Sequence, residues 1–185
     1  MKNNNSKIIA LFGGSFDPPH IGHESIVKEI LKLKMIEEVV IMPTYLNPFK
    51  SKFYAPSSLR LKWLKNIFMP YKSVIIDSYE IDLKRKVPSI ESVHYLLNKY
   101  QKIYLVVGAD NLNSLSKWYK YNELKNLVTF MVASRDDIEI PANFIKLNVE
   151  ENISSTSLRN YIDKNKLSTI CSDEITKFYK ENNEQ

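Results

Sequence analysis

Short apolar runs alternate along this chain with amphipathic stretches, and that alternation limits the fold more than any other feature. The runs at 7–12, 38–42, 74–77, 103–107, 128–133 and 144–147 are dense in branched and aromatic residues and too short for helices. Between them, apolar residues recur at helical spacing over 21–32, 57–68, 89–98, 121–126, 156–163 and 172–181. Strands alternating with helices predict parallel strands joined by crossovers, with helices on both faces. We therefore expect an α/β fold: a Rossmann-like, doubly wound, mostly parallel sheet in a single domain over 1–185, with Met1–Asn5 flexible. Ser57 and Ser172 read as helix N-caps, and Pro88 suits a first helical turn. The longest irregular connection, 43–56, is the kind of loop that carries function. In such a sheet ligands collect outside the carboxyl ends of the strands.

One segment stands apart: Gly13-Gly14-Ser15-Phe16-Asp17-Pro18-Pro19-His20-Ile21-Gly22-His23. The chain has 4 glycines and 3 histidines, and most of both fall here. The segment follows the first strand and opens the first helix, so it reads as strand, glycine turn, helix start. Without Cβ atoms, Gly13 and Gly14 let a ligand approach backbone N–H groups closely. A helix start adds unpaired N–H donors and the positive end of a dipole. His20 and His23, at i and i+3, share one helix face and can both donate to phosphate oxygens. Phosphate at a strand–turn–helix junction is the chemistry these residues suit. Neither G-x-x-x-x-G-K-[ST] nor G-x-G-x-x-G is present. With no third His or Cys nearby, a structural zinc site is not expected.

Other constellations also follow predicted strands. Gly108-Ala109-Asp110-Asn111-Leu112 puts a carboxylate where a helix starts, and Trp118-Tyr119 lies downstream; alone, Asp110 reads as a cap and the aromatic pair as core. Ile153-Ser154-Ser155-Thr156-Ser157-Leu158-Arg159 sets hydroxyls before a helix and an arginine one turn in, so that Arg159 can reach an anion held at the same N–H groups. Arginine is scarce among the 26 basic side chains, being limited to Arg60, Arg85, Arg135 and Arg159. In so lysine-biased a chain an arginine suggests a place where lysine would not serve, such as bidentate phosphate contact.

The adjacent glycines followed by H-x-G-H resemble the HxGH nucleotidyltransferase superfamily. The fuller string GGSFDPPHIGH, the GADNL turn with its Trp-Tyr pair, and ISSTSLR resemble, in order, the signatures of its nicotinate mononucleotide adenylyltransferases. The resemblance runs from Ile8 to Arg159 and implies transfer of the adenylyl group of ATP to nicotinate mononucleotide, giving deamido-NAD and pyrophosphate. It implies that ATP meets Gly13, Gly14, Ser15, Phe16, His20, His23, Gly108, Asp110, Arg135, Ser155, Thr156 and Arg159. The mononucleotide would meet Asp17, Pro88, Ser89, Trp118 and Tyr119, with Trp118 packed on the pyridine ring. His20, His23, Lys50 and Arg159 would neutralise charge in the transition state. Mg²⁺ would arrive with ATP, and no protein metal site is implied. The chain departs from the family at three places. Phe49 stands where histidine is frequent, Ile90 and Glu91 replace an aromatic and a hydroxyl, and Asp136-Asp137 follow Arg135 in place of a Pro-Gly turn. Glu91 would repel a pyridine carboxylate, so we expect it to face solvent while backbone N–H groups near Pro88 receive the carboxylate.

A net charge of +5 favours acidic partners, nucleic acid or small phosphorylated molecules. No aromatic RNP-type strand, GXXG loop or arginine-rich run supports a nucleic-acid binder. A different phosphorylated acceptor, nicotinamide mononucleotide or phosphopantetheine, keeps the same chemistry and stays open. The lone Cys171 fits a reducing compartment, and no stretch approaches the ~20 apolar residues of a membrane span. A cytoplasmic location and no membrane partner are expected; the sequence leaves the oligomeric state open, a homo-oligomer included.

Overall fold

The computed structural model describes residues 6–135, 138–151 and 153–183. The expectations on Met1–Asn5 and on Asp136-Asp137 lie outside those residues. Among the described residues six strands form one sheet: β1 (Ile8–Gly14), β2 (Glu38–Pro43), β3 (Val74–Ile76), β4 (Lys102–Gly108), β5 (Val128–Ala133) and β6 (Ile145–Leu147), in the order β3-β2-β1-β4-β5-β6. Every ladder is parallel, with Ile9 opposite Glu38 on one side of β1 and Ile103 on the other. The chain crosses from β1 to β2 in one direction and later returns to β4 in the other. The crevice between β1 and β4 is thus the switch point at which such sheets bind ligands.

Among the described residues seven α-helices cover the sheet: α1 (Ile21–Leu31), α2 (Ser57–Phe68), α3 (Tyr79–Asp82), α4 (Ser89–Leu97), α5 (Tyr121–Leu127), α6 (Ser155–Asn160) and α7 (Ser172–Asn183). Successive strand residues point to opposite faces, so β1 feeds two cores. Ala10 and Phe12 join Val27, Trp63, Ile67, Ile175 and Tyr179 beneath α1, α2 and α7. Ile9 and Leu11 join Ile90, Val93, Leu96 and Leu124 beneath α4 and α5. Burial on both faces accounts for the nearly unbroken apolar character of β1, β2 and β4.

The structure departs from the sequence reading in local detail. Gly13 and Gly14 do not turn. They are the last residues of β1, paired with Met42 and Pro43, and no glycine has positive φ. The turn falls to Phe16 at φ 49° and the cis Asp17–Pro18 peptide. Phe16 holds that left-handed conformation with its ring buried edge-on against Phe12 and His23. Ser57 is not an N-cap: α2 is capped by Pro56 and starts on Ser57. Ser172 likewise stands inside α7 as its first residue. The stretch after β4 is a 3₁₀ helix over Ala109–Lys117, and α3 answers to no expected element.

Candidate active site

The loops leaving β1, β2, β4 and β5 meet at the carboxyl edge of the sheet and bring most of the expected residues together. His20 occupies the N-cap of α1 in extended conformation. Its backbone N–H donates to Nδ1 of His23 at 3.1 Å. That bond makes His23 Nδ1 an acceptor, which puts the proton of the neutral ring on Nε2. The two rings stack with centroids 3.7 Å apart, and the stack requires Gly22: a Cβ there would lie 3.0 Å from His20 Nδ1. Burial, with Arg135 nearby, pulls His20 from the ordinary 6.5 down to about 3. Burial, His20 and Arg135 hold His23 well below its ordinary value. Both imidazoles are therefore neutral donors at physiological pH. His20 Nδ1 is buried without a hydrogen-bond partner among the described residues.

Two cations approach from other elements. Lys50, in the loop after β2, donates from Nζ to Ser15 Oγ at 3.2 Å. Partial burial and the Arg159 charge lower its affinity for a proton, with Asp17 acting in the opposite direction. Arg159, 8% exposed on α6, donates from Nη1 to the carbonyl of Asp17 and from Nη2 to Thr156 Oγ1 at 2.9 Å, and lies 4.5 Å from the Tyr54 ring centroid. Ser155 Oγ donates to the carbonyl of Pro18 at 2.9 Å. The C-terminal motif thus leans directly on the Asp17-Pro18 turn that follows β1. Ser154 caps α6, accepting from the Ser157 N–H at 3.0 Å.

Asp110 is not a helix cap; the cap position is Gly108. Its Oδ1 folds over Gly108, where a Cβ would sit only 2.3 Å away, and its carboxylate pairs with Arg135 at 3.6 Å. This pair spans the ends of β4 and β5. Trp118 rests one side against the core under α4 and α5, and Phe49 stands across from it with ring centroids 6.4 Å apart. Phe49 is 66% exposed and Tyr119 62% exposed. The Phe49 loop is tied by Lys86 Nζ, which donates to the carbonyl of Pro48 at 3.1 Å.

Pro88 is the N-cap of α4 and Ser89 its first residue. Ile90 is buried in the core rather than facing the cleft. Glu91 is held by Arg85 in a two-pronged ion pair, Nη2 to Oε2 at 2.6 Å and Nη1 to Oε1 at 3.3 Å. Asp17, expected at the substrate, faces inward at 3% exposure, and its carboxylate accepts from the N–H groups of Tyr54 and Ala55 and from the Tyr179 hydroxyl. Two residues escaped the sequence reading as site builders. Arg60 had a signal in the scarcity of arginine, whereas Tyr179 carried none. Among the described residues no group of three or more His, Cys, Asp or Glu side chains is placed to hold a metal ion.

Comparison with known proteins gives a consistent family. A family model described as cytidylyltransferase-like matches residues 11–161. A protein of Sulfurimonas denitrificans is 61% identical over 173 residues, covering 94% of this chain and 95% of that one. A protein of Campylobacter fetus is 49% identical over 177 residues, covering 95% and 98%. Both carry the name probable nicotinate-nucleotide adenylyltransferase. The crystallised nicotinic acid mononucleotide adenylyltransferase of Plasmodium falciparum, in complex with NaAD, superposes with a TM-score of 0.79 at 20% identity, covering 94% of this chain and 98% of that one. At that identity it speaks to the fold alone.

Proposed function

The chain belongs to the nicotinate-nucleotide adenylyltransferase family, and from that premise we propose how its cleft joins ATP to nicotinate mononucleotide to give deamido-NAD and pyrophosphate. The observation that carries the reading is the convergence of a neutral histidine pair, Lys50 and Arg159 on the helix start after β1. The acceptor phosphate is already anionic at neutral pH, so the reaction needs no general base and no covalent nucleophile. What it needs is alignment of that oxygen with the α-phosphorus and cancellation of charge on the departing pyrophosphate.

His20 and His23 supply donors that need no proton from solvent, and Lys50 and Arg159 supply positive charge from two other elements. Gly13, Gly14, Ser15 and Phe16 form the floor on which the phosphates lie. Gly108, Asp110, Arg135, Ser155 and Thr156 bound the rest of the nucleotide subsite. The donors of the cleft are cations and N–H groups, which fit phosphate rather than a metal. Mg²⁺ would accordingly arrive with ATP rather than on a protein site, and would supply further charge neutralisation.

The mononucleotide lies toward Trp118, whose indole takes the pyridine ring, with Tyr119, Pro88 and Ser89 beside it. The pairing of Glu91 with Arg85 removes the repulsion that a lone carboxylate would exert on the acid. The first N–H groups of α4 are then the donors for the pyridine carboxylate. Asp17 contributes by holding backbone rather than by touching substrate. We place the enzyme in the cytoplasm. The lone Cys171 supports this, and no described helix is long and apolar enough to cross a membrane. The deciding experiment incubates the protein with ATP, Mg²⁺ and, separately, nicotinate mononucleotide, nicotinamide mononucleotide and phosphopantetheine. Fastest pyrophosphate release with the first supports the proposal, and faster release with either other acceptor overturns it.

A further inference from the structure

Tyr179 sits on α7, beyond the span matched by the family model, yet its side chain reaches the first motif. The hydroxyl donates to Asp17 Oδ1, and the two residues are 1% and 3% exposed. The same carboxylate accepts from the N–H of Ala55 at 2.9 Å and of Tyr54 at 2.8 Å, where the loop carrying Lys50 ends. The Asp17 carbonyl accepts from Arg159 Nη1. From the other side Arg60, 1% exposed, donates to the carbonyls of Ser15, Thr44, Tyr45 and Ala55. The Asp17 carboxylate and the Arg60 guanidinium therefore tie the motif loop to the Lys50 loop, the Asp17 carbonyl ties it to Arg159 of α6, and α7 closes the arrangement through a single hydroxyl.

Buried charges persist only when their bonding capacity is filled. Without the Tyr179 hydroxyl, Oδ1 of Asp17 would keep one N–H partner in a site closed to water. The carboxylate would then turn toward the nearest positive charge, and both Arg60 and Lys50 lie within its field. Either movement displaces Lys50 or Arg159 from the phosphates. We propose that Tyr179 is a positioning residue for adenylyl transfer, acting through Asp17 to keep the Lys50 loop and Arg159 in register with His20 and His23. The inference rests on the phosphate-cleft reading given above.

The test is Tyr179→Phe, which keeps the ring against Trp63 and Phe178. Loss of one bond to a buried charge should lower kcat about tenfold while both KM values stay within about twofold. Lys50→Ala should then cost far less in the Tyr179→Phe background than in the wild type, because the lysine is already misplaced. A folded Tyr179→Phe with wild-type kcat and an undiminished Lys50→Ala effect, whatever its melting temperature, overturns the inference. If Tyr179→Phe does not fold, Asp17→Asn serves in its place. A kcat loss with a weakened Lys50→Ala effect supports the proposal there, and activity that merely follows the folded fraction overturns it. The wild-type assay separates the two levels: absence of pyrophosphate release from ATP and nicotinate mononucleotide removes the functional reading itself, whereas an active wild type with an indifferent Tyr179 removes only this inference.

Discussion

His20 and His23 lie ring on ring at 3.7 Å, an arrangement that two imidazolium ions could not tolerate. Burial favours the neutral form of both, so the role proposed for them is hydrogen-bond donation. Removing either donor by His20→Ala or His23→Ala should lower kcat by roughly 10²-fold, the scale of losing a preorganised donor. The circular dichroism spectrum should remain that of the wild type, and near-normal turnover in a folded variant would dismiss the assignment. Trp118 divides its surface between core and cleft. Trp118→Ala should raise KM for the mononucleotide by about three- to tenfold and leave KM for ATP nearly unchanged. An equal rise in both, with a collapsed melting temperature, would mark the indole as core only. The histidine pair that the fold stacks at the start of α1 was legible from its spacing and from the poverty of the chain in glycine and histidine. Asp17 was legible as a member of the motif but not as an inward-facing group, because the partners that claim its oxygens lie at 54, 55 and 179.

At the scale of elements, the periodicity of apolar residues located all six strands and six of the seven α-helices to within a few residues. It missed α3, whose four residues are too few to show a period, and it could not distinguish the 3₁₀ geometry of Ala109–Lys117 from an α-helix start. The start of α4 is the element to which the proposal assigns recognition of the acid. Because Arg85 already holds Glu91, Glu91→Gln should leave the preference for the acid over the amide nearly unchanged when kcat/KM is compared for the two mononucleotides. A large gain in acid use by that variant would show that Glu91 reads the ring substituent. His94 belongs to the same helix but bonds Glu123 of α5 at 2.8 Å, which makes it a link between helices rather than part of the cleft.

The whole molecule registers these buried groups in its response to pH. Each histidine has a folded-state pKa below its unfolded value of 6.5. The unfolded chain therefore binds more protons below that pH, and stability falls as pH drops through it. Glu80 acts in the opposite sense. It is buried, accepts from Ser92 Oγ at 2.6 Å, and burial raises its pKa from 4.5 to about 7, so its neutral form favours the folded state and that advantage is lost as pH rises from 4.5 to 7. Two histidines against one carboxyl leave a net upward slope of stability with pH between 4.5 and 6.5. Urea denaturation at stepped pH should show that slope, steeper in Glu80→Gln and shallower in His20→Gln. A flat profile over this window would mean that the histidines are not buried in the neutral form.

By itself the sequence determined the alternation of strand and helix, the sheet it implies, the strand–helix junction at which the motif residues gather and the family. Those properties live in local spacing: a period of two or 3.6, a glycine beside a histidine, hydroxyls ahead of an arginine. Only the tertiary structure decided which groups face the cleft and which hold it in shape. The Gly-Gly pair proved to extend a strand while Phe16 makes the turn, and Arg60 and Tyr179 proved to be neighbours of Asp17 across long stretches of chain. The reason is physical. A hydrogen bond between residues far apart in sequence leaves no periodic trace, and the direction of a carboxylate is set by whichever donors the packed fold brings to it.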